Sequence, residues 1–214
     1  MLFLAQDAEL VPPPFLASRT AVQPLTHLVL KPRKALPLSA GDGELFFRLT
    51  DGCIAVSRYL PDGRRQICDI VGPGRMFGFA VQGAGQCVAE SLTYSTVERH
   101  GRRMAWASLP AEVGNMLNRQ QAHALLLGRK TAAERVASAL IDLLEQFGRK
   151  PAARPSFALF PTRGDLADWL GLTLETVSRC LHRFRRDRMI EFSRPERIRV
   201  LDLGALRRMS GAAD

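Results

Sequence analysis

The 214 residues carry 30 Lys and Arg against 21 Asp and Glu, a formal net charge of +9, and 46% of them are apolar. That apolar share is enough for a core and excludes a disordered chain. The basic excess points to a polyanion, nucleic acid first among them, although a charge that serves solubility alone stays open and composition does not separate DNA from RNA or an acidic membrane.

The cysteines stand at positions 53, 68, 87 and 180, with no CxxC spacing and no His or Cys cluster of zinc-site pattern. A disulfide scaffold is therefore not expected, and a reducing, cytoplasmic compartment is. The first residues, Met1 to Asp7, lack a basic region and a long apolar stretch, so no signal peptide is expected there. No apolar run reaches transmembrane length, and no membrane partner is expected. Pro12-Pro13-Pro14 reads as an irregular, extended lead-in.

A strand-like pattern begins at Leu45. Leu45 to Thr50 runs into Asp51-Gly52, a hairpin-turn dipeptide, and Cys53 to Leu60 follows with Ile54 and Val56 alternating against Ala55 and Ser57. Pro61-Asp62-Gly63 makes a second turn, and Gln66 to Val71 a third strand closed by Gly72-Pro73-Gly74. Short strands with regular turns predict an all-β barrel or sandwich, placed at roughly 20 to 105.

The period then changes. Val113, Leu117, Gln120, Ala124 and Leu127 are spaced alternately by four and three, a heptad-like seam weakened by Gln120. Such a helix either pairs with a second copy or packs on its own barrel. A second helix is expected from Thr131, with Glu134 as its capping-box partner, an apolar face of Ala133, Val136, Ala137, Leu140, Leu143, Leu144 and Phe147, and Gly148 as its stop. Lys150 to Pro155 reads as a linker. Beyond it lie about sixty residues with eleven Arg, eight acids and no Lys. That usage suits bidentate contacts to guanine and phosphate, and it also fits a GC-rich genome.

The most informative stretch is 162–184. Thr162 is an N-cap with Asp165 at the capping-box position, and Leu166, Trp169 and Leu170, with the small Ala167, form the buried face of a short helix. Gly171 permits a sharp positive-φ turn. Thr173 caps a second helix whose Leu174, Val177, Leu181 and Phe184 are expected to bury against the first. Glu175, Thr176, Ser178, Arg179, His182 and Arg183 are left outward. This is a helix-turn-helix, and the N-terminal part of its second helix is the part that reaches base edges. Arg179 matches guanine bidentately and Glu175 accepts from cytosine N4, while Arg183, Arg185, Arg186 and Arg188 suit phosphates. Thr173 and Arg163 complete the candidate DNA-binding set. Any amphipathic helix pair has polar residues outside, but that alone does not explain a glycine turn between two caps with five arginines from 179 to 188. Met189 to Phe192 and Arg197 to Leu201 flank Ser193-Arg194-Pro195-Glu196 as a hairpin, which makes the domain winged. Arg194, Arg197 and Arg199 are either phosphate contacts or solvated.

The segment Gly171-Leu172-Thr173-Leu174-Glu175-Thr176-Val177-Ser178-Arg179 resembles the recognition helix of the CRP/FNR family of bacterial transcription regulators, in its FNR and FixK-like branch, whose signature is Glu, two residues, Ser, Arg. Leu126 to Ala137 resembles that branch's helix-to-hinge segment, and Gly52, Asp62-Gly63 and Gly72-Pro73-Gly74 fall where the family's β-roll turns. The resemblance spans about 25 to 205. It implies an α+β fold: a β-roll sensor-like domain at 20–110, of the jelly-roll kind that binds cyclic nucleotides, a dimerisation helix at 111–128 and a winged helix-turn-helix at 129–214. It further implies a homodimer on double-stranded DNA, contacts to RNA polymerase, transcription activation in the setting of low-oxygen respiration, nitrogen fixation or related metabolism, and a TTGA(T/C) site with its inverted repeat, read by Glu175, Ser178 and Arg179.

The sensor region departs from parts of the family. Where cyclic-nucleotide binders carry Gly-Glu and then Arg-Ser or Arg-Thr, this chain has Gly78-Phe79 and Gln86-Cys87, so the phosphate and ribose partners are missing. No cysteine precedes Cys53, unlike the iron–sulfur oxygen sensors, and Cys53, Cys68 and Cys87 read as small buried residues. No cofactor is expected, and the chain resembles FixK-like proteins that bind no effector. An effector-gated regulator, with an unidentified ligand or with haem at His27 or His100, stays the alternative. A cyclic-nucleotide signalling module is the rival of another class. Cys180 follows Arg179 directly. Its oxidation would weaken DNA binding, with Arg179 and Arg183 lowering its pKa, but it also reads as the edge of the helix core. No P-loop, Rossmann fingerprint, nucleophile elbow or metal-ligand spacing occurs, so an enzyme is not expected.

Overall fold

A computed structural model describes residues 26–38, 46–78, 87–100, 109–148, 155–194 and 196–211. The proline-rich lead-in, Leu45 and all of the expected linker except Pro155 lie outside these ranges.

Eight strands form the N-terminal part. They are β1 (Thr26–Leu30), β2 (Ala35–Pro37), β3 (Phe46–Asp51), β4 (Ile54–Tyr59), β5 (Arg65–Val71), β6 (Met76–Gly78), β7 (Cys87–Ser91) and β8 (Ser95–His100). They pair antiparallel in two four-stranded sheets, ordered β1-β8-β3-β6 and β2-β7-β4-β5. The expected strands from Leu45 to Val71 appear as β3, β4 and β5, and the hairpin turn at Asp51-Gly52 is present with Gly52 at φ +97. A Cβ there would stand 2.5 Å from the Tyr94 carbonyl oxygen, so both conformation and space require glycine.

Leu30, Phe47, Leu49, Ile54, Val56, Val71, Phe77, Ala89 and Val97 fill one core in this part, where the Phe47 and Phe77 rings stack at 5.4 Å. The expected alternation along β4 is too simple. Ile54, Ala55, Val56 and Ser57 are all buried, because Ala55, with Ile67 and Ile70 of β5, belongs to a second core shared with the helices. The sheet is covered on both faces, which erases the in/out pattern.

Two helices follow, α1 (Leu109–Arg129) and α2 (Ala132–Phe147). Thr131 opens α2 with the expected capping box: its hydroxyl accepts from the Glu134 backbone, and its own N–H donates to Glu134 Oε2 at 2.6 Å. Val136, Ala137, Leu140, Leu143 and Leu144 are buried, and Gly148 ends the helix. Gln146 ties α2 to the β-roll, accepting from Gly72 N at 2.6 Å and donating to Ile70 O at 3.1 Å, and Arg75 pairs with Asp142 at 2.7 Å.

The C-terminal part contains β9 (Ser156–Ala158), α3 (Arg163–Leu170), α4 (Leu174–Arg186), β10 (Ile190–Arg194), β11 (Arg197–Val200) and α5 (Leu203–Met209). The wing hairpin is present as β10 and β11, with β9 completing a sheet ordered β10-β11-β9. Phe157, Leu166, Leu170, Val177, Leu181, Phe184, Ile190, Ile198 and Leu206 join the α2 residues in the second core. The α+β architecture of β-roll, long helix and winged helix-turn-helix is therefore the observed one. Among the described residues no helix is long and apolar enough to cross a membrane.

Candidate nucleic-acid interface

The helix-turn-helix forms for local reasons. Thr162 caps α3, its hydroxyl accepting from Asp165 N at 3.0 Å while Asp165 accepts from Thr162 N at 3.0 Å. Gly171 ends α3 at φ +60, ψ 45, the left-handed turn expected of it. Thr173 then caps α4, accepting from Thr176 N at 3.2 Å. Val177, Leu181 and Phe184 are fully buried.

Leu174 departs from the expected inward face: it is 49% exposed. It is the first residue of α4, directly after the cap, and no earlier turn of its own helix covers it. Helical spacing alone assigned Leu174 to the core, and only its terminal position distinguished it.

The outward face is otherwise as expected. Glu175, Arg179, His182 and Arg183 are exposed, and Thr176 and Ser178 are half-buried. The Thr173 and Thr176 hydroxyls stand 3.1 Å apart, and Arg179 donates from Nη2 to Thr176 Oγ1 at 3.1 Å. This ladder along one helix edge steadies the Arg179 fork. Hydrogen bonds from its own backbone N–H and from Thr173, with the Arg179 charge nearby, hold the Glu175 carboxyl below its ordinary pKa. It is thus an ionised acceptor at a helix N-terminus.

Arg163 sits between three elements. Its guanidinium lies 5.7 Å from the Phe192 ring centroid of β10 and 3.5 Å from Ser178 Oγ of α4. At the far end of α4, Arg183 and Arg186 share Asp187, at 3.4 and 3.3 Å, whereas Arg185 and Arg188 meet no acid among the described residues. In the wing, Arg199 pairs with Glu191, and Arg194 is exposed.

Cys180 is half-buried and packs against the core that includes Val177 and Phe184. Burial pushes its thiol above the ordinary value, and Arg183 and Arg179 offset this only in part. The lowered pKa expected from the two arginines is therefore not what the site provides: burial outweighs the two charges. Burial likewise pushes up Cys53, Cys68 and Cys87. Among the described residues no group of three or more His, Cys, Asp or Glu could hold a metal ion. His27 and His100 fall on β1 and β8, and Phe79 and Gln86 lie outside the described residues.

Sequence reading missed Arg135 of α2. Its guanidinium donates to Lys130 O at 2.9 Å and Leu127 O at 2.7 Å, at the C-terminus of α1, and to Leu170 O at 3.0 Å and Gly171 O at 3.5 Å, at the helix-turn-helix corner. One cation thus answers the negative ends of two helices. The targets are backbone oxygens of other elements, so no side-chain pattern announced them. Arg135→Ala is expected to lower unfolding stability by about 1–3 kcal/mol, the cost of leaving such acceptors unpaired, as read by chemical denaturation.

A glycine-cornered helix pair, a basic outward helix and a three-stranded wing define a winged helix-turn-helix DNA-binding protein joined to a β-roll. Residues 134–209 match the Crp-like helix-turn-helix domain. The chain is 35% identical to the nitrogen fixation regulation protein FixK of Rhizobium meliloti over 182 residues, 80% of this chain and 84% of that one. It is 31% identical to the transcriptional activatory protein AadR of Rhodopseudomonas palustris, over 82% of this chain and 77% of the relative. It superposes on the structure of FixK2 from Bradyrhizobium japonicum with a TM-score of 0.77 at 29% identity, covering 89% of this chain and 99% of the other. The chain belongs to the CRP/FNR family of transcription regulators, among its FixK-like members. It is a DNA-binding regulator and not an enzyme.

Proposed function

We propose that the chain is a cytoplasmic, homodimeric transcription activator that reads TTGA(T/C) half-sites in inverted repeat through α4, contacts RNA polymerase, and needs neither a cyclic nucleotide nor an iron–sulfur cluster. The observation that carries this reading is the pre-set edge of α4, where Thr173 and Thr176 hold Arg179 beside an ionised Glu175 and an outward-lying Ser178. Arg179 takes guanine O6 and N7, Glu175 takes a base amino group, and Thr173, Thr176, His182 and Arg183 flank them on bases and phosphates. Arg163 contributes a phosphate contact from the start of α3. The name of one relative, a transcriptional activatory protein, supports activation.

The test is binding of the ligand-free protein to a duplex carrying TTGAT and its inverted repeat, against a duplex with both half-sites scrambled, at one near-physiological salt concentration. Selective binding by a dimer is the expected result. Weak, equal binding to both duplexes would overturn the effector-free reading or the site.

Cys180 adds a redox prediction. Oxidation would place bulk and polarity on the α4 surface next to Arg179, so peroxide is expected to weaken DNA binding by the wild type and not by Cys180→Ser. Equal peroxide sensitivity of both proteins in a gel-shift assay would remove the role.

A further inference from the structure

An ion-pair cluster that the DNA-reading face does not use joins the β-roll to the helix-turn-helix. Arg65, the first residue of β5, reaches three carboxylates: Nη2 meets Asp165 at 2.6 Å, Nε meets Asp168 at 2.8 Å, and Nη1 meets Glu90 of β7 at 3.2 Å. Arg33, in the turn between β1 and β2, supplies a second cation, 3.1 Å from Glu90 and 3.4 Å from Asp165. Asp165 and Asp168 stand three apart, so they share one face of α3.

Asp165 belongs to both parts of the protein at once. Its carboxylate completes the capping box that starts α3, and it is the meeting point of both arginines, with its side chain only 2% exposed. Burial works against its charge, but the hydrogen bonds from Thr162 and Arg65 and the Arg33 charge outweigh it and hold the carboxyl below its ordinary pKa. Arg33 reaches the cluster from a left-handed backbone, φ +63, a conformation unfavourable for a residue with a side chain. The turn is pinned by Arg33 N donating to Ser91 O at 2.7 Å and by the Ser91 hydroxyl donating to Lys31 O at 2.5 Å. Backbone strain that the surroundings hold in place, next to a buried ionic junction, marks a position set by more than local folding.

We propose that Arg65 is a positioning residue for DNA reading: through Asp165 and Asp168 it locks α3, and with α3 the recognition helix, in a fixed orientation on the β-roll. α4 follows α3 because both belong to one core of buried side chains. Two further contacts brace α3: Gln66 donates to Trp169 O at 3.3 Å, and the His123 ring of α1 stacks on Trp169 at 6.2 Å. Glu175, Arg179, His182 and Arg183 of α4 stay exposed with the cluster closed, so the lock does not cover the reader. A ligand-free protein gains its alignment from this junction. The lock rests on the dimer-on-palindrome reading, since two heads held rigidly at one spacing bind the second half-site at high effective concentration, and loosened heads do not.

The experiment uses full-length wild type, Arg65→Gln, Arg65→Lys and Asp168→Asn. Asp168 is the gentle site: it is 37% exposed, lies outside the cap, and meets Arg65 alone among the described residues. Fluorescence anisotropy gives the affinity for the palindrome, for a duplex with one half-site, and for palindromes with the half-sites moved apart by half a turn. For Arg65→Gln, palindrome affinity is expected to fall about ten-fold while single half-site affinity stays within about two-fold, and the penalty for wrong spacing shrinks. Asp168→Asn follows in the same direction, and Arg65→Lys recovers part of the loss. An unchanged ratio of palindrome to half-site affinity in folded Asp168→Asn overturns the proposal, as does an equal loss on both duplexes. If wild type itself shows no preference for the palindrome, the proposed function fails, and the lock is judged without DNA by amide hydrogen exchange. Faster exchange across 163–170 in Asp168→Asn supports it, and exchange equal to wild type overturns it.

Discussion

Arg179→Ala is expected to weaken binding to the palindrome by about 1–3 kcal/mol at each half-site, roughly 5- to 150-fold apiece, with a much smaller loss on scrambled DNA. The asymmetry follows from what the side chain is prepared to do. Its fork is steadied by the Thr176 hydroxyl, itself within 3.1 Å of the Thr173 hydroxyl, so little rotamer freedom is lost when it meets a guanine. Arg185 and Arg188 supply the contrast. They are exposed, without acid partners among the described residues, Arg185 in the last turn of α4 and Arg188 just past its end. Arg185→Ala should weaken both duplexes alike and flatten the salt dependence of binding by about one unit of log–log slope, as a lost phosphate contact does. Competition titrations at several salt concentrations separate the two behaviours. Equal losses on cognate and scrambled duplexes for Arg179→Ala would reduce it to a phosphate contact.

The same contrast explains what could be read from the chain. The helix-turn-helix is legible because every determinant is local: Thr162 with Asp165, Gly171, Thr173, and the spacing of Val177, Leu181 and Phe184 all lie within 23 residues, 162–184. The capping box at Thr131 and Glu134 is legible for the same reason. Much of the β-roll was not. β4 is buried on both faces, so its alternation misleads, and β2, β6 and β9, of three residues each, are too short to carry a period. Leu174 followed the helical period yet lies at the open end of its helix. The junction at Arg65 was beyond reach in principle. Its partners in α3 are 100 and 103 residues away, and nothing about an arginine after a hairpin turn or an aspartate in a cap tells that they meet.

Leu117→Glu is expected to convert the protein to a monomer and to reduce palindrome affinity by about a hundred-fold or more, to the level of a single half-site. α1 has two unlike faces. One lies along its own β-roll, where Arg119 meets Asp69 at 2.9 Å and Met76 O at 2.9 Å and Glu112 meets Arg48 at 2.9 Å, and against α3, where His123 stacks on Trp169. The other carries Val113, Leu117, Gln120 and Ala124 of the heptad-like seam, all exposed, with Leu117 at 55%, while Leu127, the seam's last position, is half-buried. One face of α1 thus packs on its own protomer, and most of the seam is left over. A solvated helix 21 residues long gains nothing from large apolar side chains there, whereas burying one Val or Leu is worth about 1.5–3 kcal/mol. A carboxylate at the seam's middle turns part of that gain into a desolvation cost, and like charges face each other across the two-fold. Because Leu117 makes no part of the protomer's own core, the thermal unfolding of the monomer's domains should be retained. Sedimentation velocity alongside DNA titration is the check. A Leu117→Glu protein that stays dimeric and binds the palindrome as tightly as wild type would move the dimer contact off α1.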